Sequence, residues 1–449
     1  MAASSVKDLK QKILKAVSEP SQLNNVQRRA LHARVELLRL DIEEELLQNT
    51  ASLEKRTEKT PVKVVETLQG GKRRDMVGAS LVRTIEASSQ SEFPEDLEKE
   101  LNGLVALLSL VPIKRPAAWW YWIDIVFRFV GVSMGFLTVG VLFSLPVIFL
   151  RGIDALLQLG PFDSISEWLK RSICKFFLIL SGVEVDIDGV NRESFEQPCS
   201  LLTFSHASNL DGFLVSLTCP IRHYALAKKE LFYVPFFSWI SIAIGGVPVD
   251  RENRDRAVGA LKRAADAAKK SRMCLVIAPE GTRSLTGQLL PFKKGVAHMW
   301  EELKAPIVPV VLFGGWDLYP VGSWVNQCGY VAVRYLKPIQ PSEVFSRDHL
   351  IRLLRRRMLT ALLDCPKIIG KSLSWPQRLR SIAVTLLNIA FDLGCIKLFN
   401  LIAFEHLGLS IKQAAFYTVV TIFAITIALY VYTVYVVDLV DRRSSKKSI

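Results

Sequence analysis

Residues 200–212 read SLLTFSHASNLDG. The first six are β-rich, the next few are polar, and a helical pattern starts at the end. A strand that exits into a polar corner and then a helix is the building unit of an α/β domain. The corner carries His206 and Asp211. On one regular helix, residues at that separation would point about 140° apart. On a strand-to-helix corner, with Asp211 in the first helical turn, they can meet. A carboxylate that accepts from one ring nitrogen fixes the tautomer and leaves the other nitrogen as a base. Alone, a His-x4-Asp pair carries little weight.

Working outward, VEVDID (183–188), CLVIAP (274–279), PIVPVVLF (306–313) and VAVRYL (331–336) read as further strands. Helical patterns lie between them, including Arg254 to Ser271. This alternation predicts an α/β fold over 165–365, with a mostly parallel sheet flanked by helices. Pro309 inside PIVPVVLF suggests a strand bulge or a sheet edge.

Residues 1–112 are polar and helix-prone. Leu31, Val35, Leu38, Ile42 and Leu46 form an amphipathic or short coiled-coil stripe, suited to packing on its own domain or to self-association. Residues 54–95 are rich in Ser, Thr, Lys and Glu and read as a linker. Region 113–164 contains an uncharged run of 22 residues, 129–150, preceded by Trp119, Trp120, Tyr121 and Trp122. That length suits a membrane-crossing helix and the aromatics suit its interface. Gly131, Gly135, Gly140 and Pro146 leave a re-entrant or interfacial helix pair open. In 366–449 a second apolar run, 414–440, precedes Arg442, Arg443, Lys446 and Lys447, a basic tail that favours the cytosolic side. A weaker segment, 382–403, is interrupted by Asp392 and Lys397. It can span a membrane if those charges face protein or pair. Lys7, Lys10 and Lys12 are followed by no apolar stretch, so the start does not read as a secretory signal.

Half of the residues are apolar, the net charge is +14, and the mean hydropathy is +0.25. The charge would attract anionic lipid or an anionic substrate. Nucleic acid is excluded on pattern, because no aromatic-basic RNA-binding signature accompanies the charge. Seven scattered cysteines with no CxxC pair argue against a disulfide framework or a zinc site, and no metal is expected.

Three further blocks accompany SHASNLD. GGVPVDR (245–251) ends in Arg251, whose planar fork can grip a phosphate or carboxylate. PEGTRS (279–284) follows a strand: Glu280 can accept from a substrate hydroxyl, Gly281 lets backbone approach a ligand, Thr282 can donate, and Arg283 is a second anion fork. PFKKG (291–295) adds Lys293. The last block is IVPVV (307–311).

In order and spacing these four blocks resemble the glycerolipid acyltransferase family, which includes the lysophosphatidic acid and glycerol-3-phosphate acyltransferases. The similarity covers about 175–340. Ser205 departs from it, since many members carry Asn there. The N-terminal 110 residues and the C-terminal helices lie outside the resemblance; a catalytic domain with membrane helices before and after it, and an N-terminal helical region, is what the residue patterns add to it. The resemblance implies direct acyl transfer from acyl-CoA, as co-substrate and with no cofactor, to the hydroxyl of a lysophospholipid. His206 would be the base and Asp211 its orienting partner. Arg251 and Arg283 would hold the acceptor's phosphate, Gly281 and the neighbouring backbone would shape that pocket, Glu280 would position the acceptor, and Thr282 and Lys293 would belong to the same substrate-binding set. A membrane site follows, in the endoplasmic reticulum with the catalytic domain cytosolic, or in a plastid or mitochondrial membrane. Rival readings are a remodelling acyltransferase or transacylase acting on another lysophospholipid, and a non-enzymatic membrane scaffold.

Overall fold

The computed structural model describes residues 11, 25–58, 126–133, 135, 162–195, 199–233, 241, 246–250, 254–323 and 326–407. Two units are distinguished: residues 1–114 with 362–364, and residues 115–361 with 365–449. In the first, α1 spans Asn25–Glu58. Val35 and Ile42 of the predicted stripe are buried, whereas Leu31 and Leu38 are half-buried.

The second unit holds a seven-stranded sheet. Its described elements are a helical stretch at 126–133, α2 (Phe162–Leu180), β1 (Val183–Asp188), β2 (Ser200–Phe204), α3 (Asp211–Thr218), β3 (His223–Lys228), β4 (Gly246–Val249), α4 (Arg254–Ser271), β5 (Cys274–Ile277), α5 (Gly295–Leu303), β6 (Ile307–Phe313), α6 (Gly315–Leu318), β7 (Gly329–Tyr335), α7 (Arg347–Leu363) and α8 (Trp375–Leu407). The strand order is β1-β7-β6-β2-β5-β3-β4. Neighbours from β6 to β4 are parallel. β7 runs antiparallel to β6 and carries β1 parallel beside it. The mostly parallel α/β sheet expected from the alternating pattern is therefore present.

All five residues of central β2 are buried, as a strand covered on both faces requires. Leu202, Val276 and Val308 from β2, β5 and β6 join Phe177, Phe213 and Leu214 from α2 and α3 in one core. The rings of Phe177 and Phe213 stack at 4.2 Å. β3 and β4 are additions to the expected strands. HYALAK has basic groups near both ends, and GVPV is only four residues long, so neither shows a clear alternation.

Pro309 is not at an edge, because β6 lies between β7 and β2. Val310 pairs with Tyr335, but pairing resumes at Ile307 with Ile339. Two residues on β6 thus face three on the other side, an irregularity of the bulge type at the point where β7 ends. Pro309 needs no partner for a missing N–H there, and its carbonyl accepts from Leu336 N–H at 2.9 Å.

Among the described residues no helix is long and apolar enough to cross a membrane. Most of 129–150 and all of 414–440 lie outside them. The segment 382–403 falls on α8, with Asp392 buried and Lys397 exposed. Leu202→Ala, which opens a cavity beneath the central strand, should destabilise the domain by about 2–5 kcal/mol. Denaturant unfolding checks it; a loss under 1 kcal/mol would show that this layer is not close-packed.

Candidate active site

Parallel strands direct their C-terminal ends to one edge, and loops at that edge converge. β2 ends at Phe204, its neighbour β5 at Ile277 and its other neighbour β6 at Phe313. The corners after them carry SHASN, PEGTRS and Gly314–Gly315.

Asp211 is the first residue of α3, as the strand-to-helix reading expects. It is 1% exposed. Its Oδ2 accepts from three donors at 2.8 Å each: His206 Nδ1 and the backbone N–H groups of Ala207 and Ser208. With Nδ1 donating, His206 Nε2 carries the lone pair. The Phe204 ring meets the imidazole edge to face at 5.2 Å. One carboxylate thus sets the tautomer, the ring orientation and the path of the backbone before α3.

Glu280 takes a different place from the one its residue type suggests. It is 1% exposed, and its two oxygens accept from His206 N–H at 2.7 Å and Leu290 N–H at 2.8 Å. Both oxygens are engaged by backbone, so the carboxyl joins the His206 corner to the loop before α5 instead of meeting a substrate hydroxyl. Burial pushes its pKa up to about 8, against the two N–H donors that favour the charged form. Ser284 N–H donates to His206 carbonyl at 2.8 Å, a second tie between the two corners.

Gly281 has φ +67, and a Cβ there would lie 2.7 Å from Lys293 Cδ. The positive φ favours glycine, whereas the close contact falls on the flexible outer part of the Lys293 side chain. Lys293 N–H donates to Pro279 carbonyl, which folds PFKKG back onto PEGTRS. Thr282, Arg283 and Lys293 are exposed around this turn. Arg283 Nη1 donates to Asn209 Oδ1, so the guanidinium is tied to the His206 corner. The structure therefore brings together His206, Asp211, Glu280, Gly281, Thr282, Arg283 and Lys293. Arg251 and Gly245 lie outside the described residues. Gly246 sits on the edge strand β4, and the neighbouring Asp250 accepts from Lys229 Nζ at 3.0 Å.

Three positioning residues were not singled out in the sequence. Ser208 Oγ accepts from Leu210 N–H at 3.1 Å and donates to Tyr319 carbonyl at 2.8 Å. Asn209 Nδ2 donates to Pro320 carbonyl at 3.2 Å. A Cβ on Gly315 would come 3.1 Å from Ser208 Cβ and 3.4 Å from Asp211 Oδ1. Ser and Asn just before a helix are recognised local cappers, and that was the available signal. Ser205 is buried and its Oγ accepts from Leu312 N–H at 2.9 Å.

Residues 186–313 match the family described as Acyltransferase. The 1-acyl-sn-glycerol-3-phosphate acyltransferase of Saccharomyces cerevisiae is 32% identical over 210 residues, covering 46% of this chain and 68% of that protein. The chain belongs to the glycerolipid acyltransferase family. The protein of the same name from Cocos nucifera is 32% identical over 169 residues, covering 38% of this chain and 54% of the relative. The chain thus spans between about half and two thirds of these relatives. The crystal structure of the 1-acyl-sn-glycerophosphate acyltransferase of Thermotoga maritima aligns with a TM-score of 0.46 and 22% identity, covering 54% of this chain and 96% of that one. By family this chain is an acyltransferase, and its matched region runs from the end of β1 through β6 and includes the His206, Asp211 and Glu280 corners.

The raised pKa of Glu280 has a consequence for this acyltransferase. A carboxyl whose folded pKa lies above its ordinary value of 4.5 favours the fold when protonated. That contribution is complete below the unfolded pKa and is lost as pH rises through about 8. Glu280→Gln cannot ionise. Its unfolding midpoint relative to the parent should therefore rise as pH goes from 5 to 9. A pH-independent difference would show that Glu280 titrates normally.

Proposed function

We propose that the protein transfers a fatty acyl group from acyl-CoA to the hydroxyl of 1-acyl-glycerol-3-phosphate while bound to a bilayer. The observation that carries this reading is the Asp211–His206 pair set beside an exposed basic turn. Asp211 holds Nδ1, which leaves Nε2 to take the acceptor's hydroxyl proton. The alcohol oxygen then bonds to the thioester carbonyl carbon, the C–S bond breaks, and the sulfur leaves as a thiol with the proton returned from Nε2. Base catalysis of this kind contributes roughly 10²–10⁴-fold. Arg283 and Lys293 stand exposed near the pair, where an acceptor phosphate would meet two cations. Arg251 is assigned to the same phosphate by its place in the family pattern. Glu280, Ser208 and Asn209 position these groups without touching substrate.

Support for the acceptor comes from relatives called 1-acyl-sn-glycerol-3-phosphate acyltransferases in yeast, in coconut and, at 29% identity, in Homo sapiens. Support for an anionic donor comes from the +14 net charge. The proposed setting is the endoplasmic reticulum membrane with the catalytic unit facing the cytosol, where acyl-CoA is expected.

Membranes carrying the protein, given labelled acyl-CoA and a panel of lysophospholipids, test the reading. The expected result is preferential labelling of 1-acyl-glycerol-3-phosphate. Preference for another head group would replace the acceptor and leave the mechanism; labelling from phospholipid in place of acyl-CoA would overturn the donor. His206→Ala should lose at least about 10²-fold in rate while keeping its fold. Near-parental turnover in that variant would remove His206 from the chemistry. Arg283→Ala should raise the KM for the phosphate-bearing acceptor more than it lowers kcat, because binding to a spectator phosphate is present before and during transfer.

A further inference from the structure

Helix α8 has its polarity reversed. Ser381, Thr385, Asn388 and Asp392 recur at spacings of four, three and four, which places them on one face. All four are buried, none more than 5% exposed. The opposite face is apolar and open: Leu379, Leu386, Leu387, Phe391, Leu393, Leu398 and Leu401 are exposed, Leu387 to 70%. A helix on a water-facing surface shows the reverse arrangement.

Three of the four polar side chains are bonded to protein, whereas Thr385 Oγ1 has no hydrogen-bond partner among the described residues. Asn388 Nδ2 donates to Asp392 Oδ2 at 3.2 Å. Arg128, from the helical stretch 126–133, donates through Nη1 to Ser381 Oγ at 2.8 Å and to Leu180 carbonyl at 3.4 Å, and Ser381 Oγ donates to Ile179 carbonyl at 2.7 Å. The guanidinium and the serine together cap the C-terminus of α2, where the helix dipole favours a cation. A Cβ on Gly131 would fall 2.4 Å from Thr385 Cγ2, so a glycine permits the close approach of 126–133 to α8. Small residues at a helix contact with polar links across it are the packing mode of helices in lipid. Val126, Phe129 and Val130 on the same stretch are exposed and apolar.

The charges sit at the ends of the open face. Between Arg380 and Lys397 every exposed residue is uncharged. Seventeen residues of helix measure about 26 Å, close to the roughly 30 Å of a hydrocarbon core. At the N-terminal end stand exposed Trp375, Lys367, Lys371 and Arg380, the last paired with Glu184 of β1. Tryptophan and basic residues beside an apolar surface fit the headgroup level of an anionic bilayer. A water-exposed apolar face of this extent is uncommon on a soluble monomer, and its basic, tryptophan-bearing end selects lipid as the covering medium.

We propose that the outward face of α8, from Leu379 to Leu401, is immersed in the hydrocarbon of a bilayer containing anionic lipid. Its buried polar face then fastens the catalytic unit to the membrane through Arg128 and Ser381. This deepens the reading of a bilayer-bound enzyme and rests on it. Averaged hydropathy misses such a helix because its polar residues count equally, although they face protein.

The test uses the full chain reconstituted in phosphatidylcholine vesicles with phosphatidylglycerol. A nitroxide is attached at Leu387→Cys, Phe391→Cys or, as a water-facing control on α4, Asp266→Cys, in a background of Cys328→Ser, Cys365→Ser and Cys395→Ser. Collision with oxygen should exceed collision with a nickel chelate at 387 and 391, and the order should reverse at 266. Dominant nickel collision at 387 and 391 would overturn the proposal by placing the face in water. Low collision with both would overturn it by showing protein, a second copy included, over the face. Acyl transfer measured in the same vesicles separates the two readings. Active enzyme with water-facing labels would remove the immersed face alone, whereas lipid-facing labels on a protein inactive with every donor and acceptor would remove the acyl-transfer reading alone.

Discussion

The site depends on one carboxylate oxygen that serves three donors. Asp211 Oδ2 accepts from the His206 ring and from two consecutive backbone N–H groups. Hydrogen bonds to a carboxylate are the stronger kind. With three of them, the loop between β2 and α3 has one conformation that satisfies all of its donors. The imidazole is oriented by the same atom that shapes the loop, so the proton acceptor and its surroundings form together. Losing the carboxylate would leave buried N–H groups without a partner as well as a free ring, and an unpaired buried donor costs about 1–3 kcal/mol.

The rest of the sheet edge is arranged around that corner. β5 lies beside β2, so PEGTRS emerges next to SHASN; Glu280 and Ser284 then join the two loops through backbone bonds. β6 lies on the other side and brings Gly315 close against Ser208 and Asp211. A parallel sheet is what allows strands far apart in sequence to deliver three loops to one place. The basic turn at Arg283 and Lys293 is carried on the same support, its guanidinium tied to Asn209 of the first corner.

Much of this was legible in the sequence, and the reasons are physical. β2, β5, β6 and β7 are rich in apolar, mostly branched residues, β1 alternates branched with acidic ones, and Arg254–Ser271 is a helix with the limits its pattern suggested. The meeting of His206 with Asp211 followed from a strand-to-helix corner. Two kinds of information were not legible. Contacts from a side chain to a distant backbone N–H, such as Glu280 with His206 and Leu290, leave no mark on composition, so the residue type suggested a substrate contact where the fold has a strut. Likewise, the average composition of 382–403 says nothing of which face is buried. Asp392 read as a cost in lipid, yet it lies on the protein side beside Asn388. The edge element GVPV is four residues long and, with a glycine and a proline among them, lacks the apolar run that marks the equally short CLVI.

Because the central claim is that Asp211 fixes the histidine's proton on Nδ1, the most direct measurement is the state of the two ring nitrogens. Nitrogen-15 NMR of the protein labelled at histidine, with His206 assigned by loss of its signals in His206→Gln, reads them at a pH where the ring is neutral. The account predicts a protonated Nδ1 and a bare Nε2 for His206. A protonated Nε2 with a bare Nδ1 would contradict it, since the nitrogen facing the acceptor would then carry a proton and could not receive one.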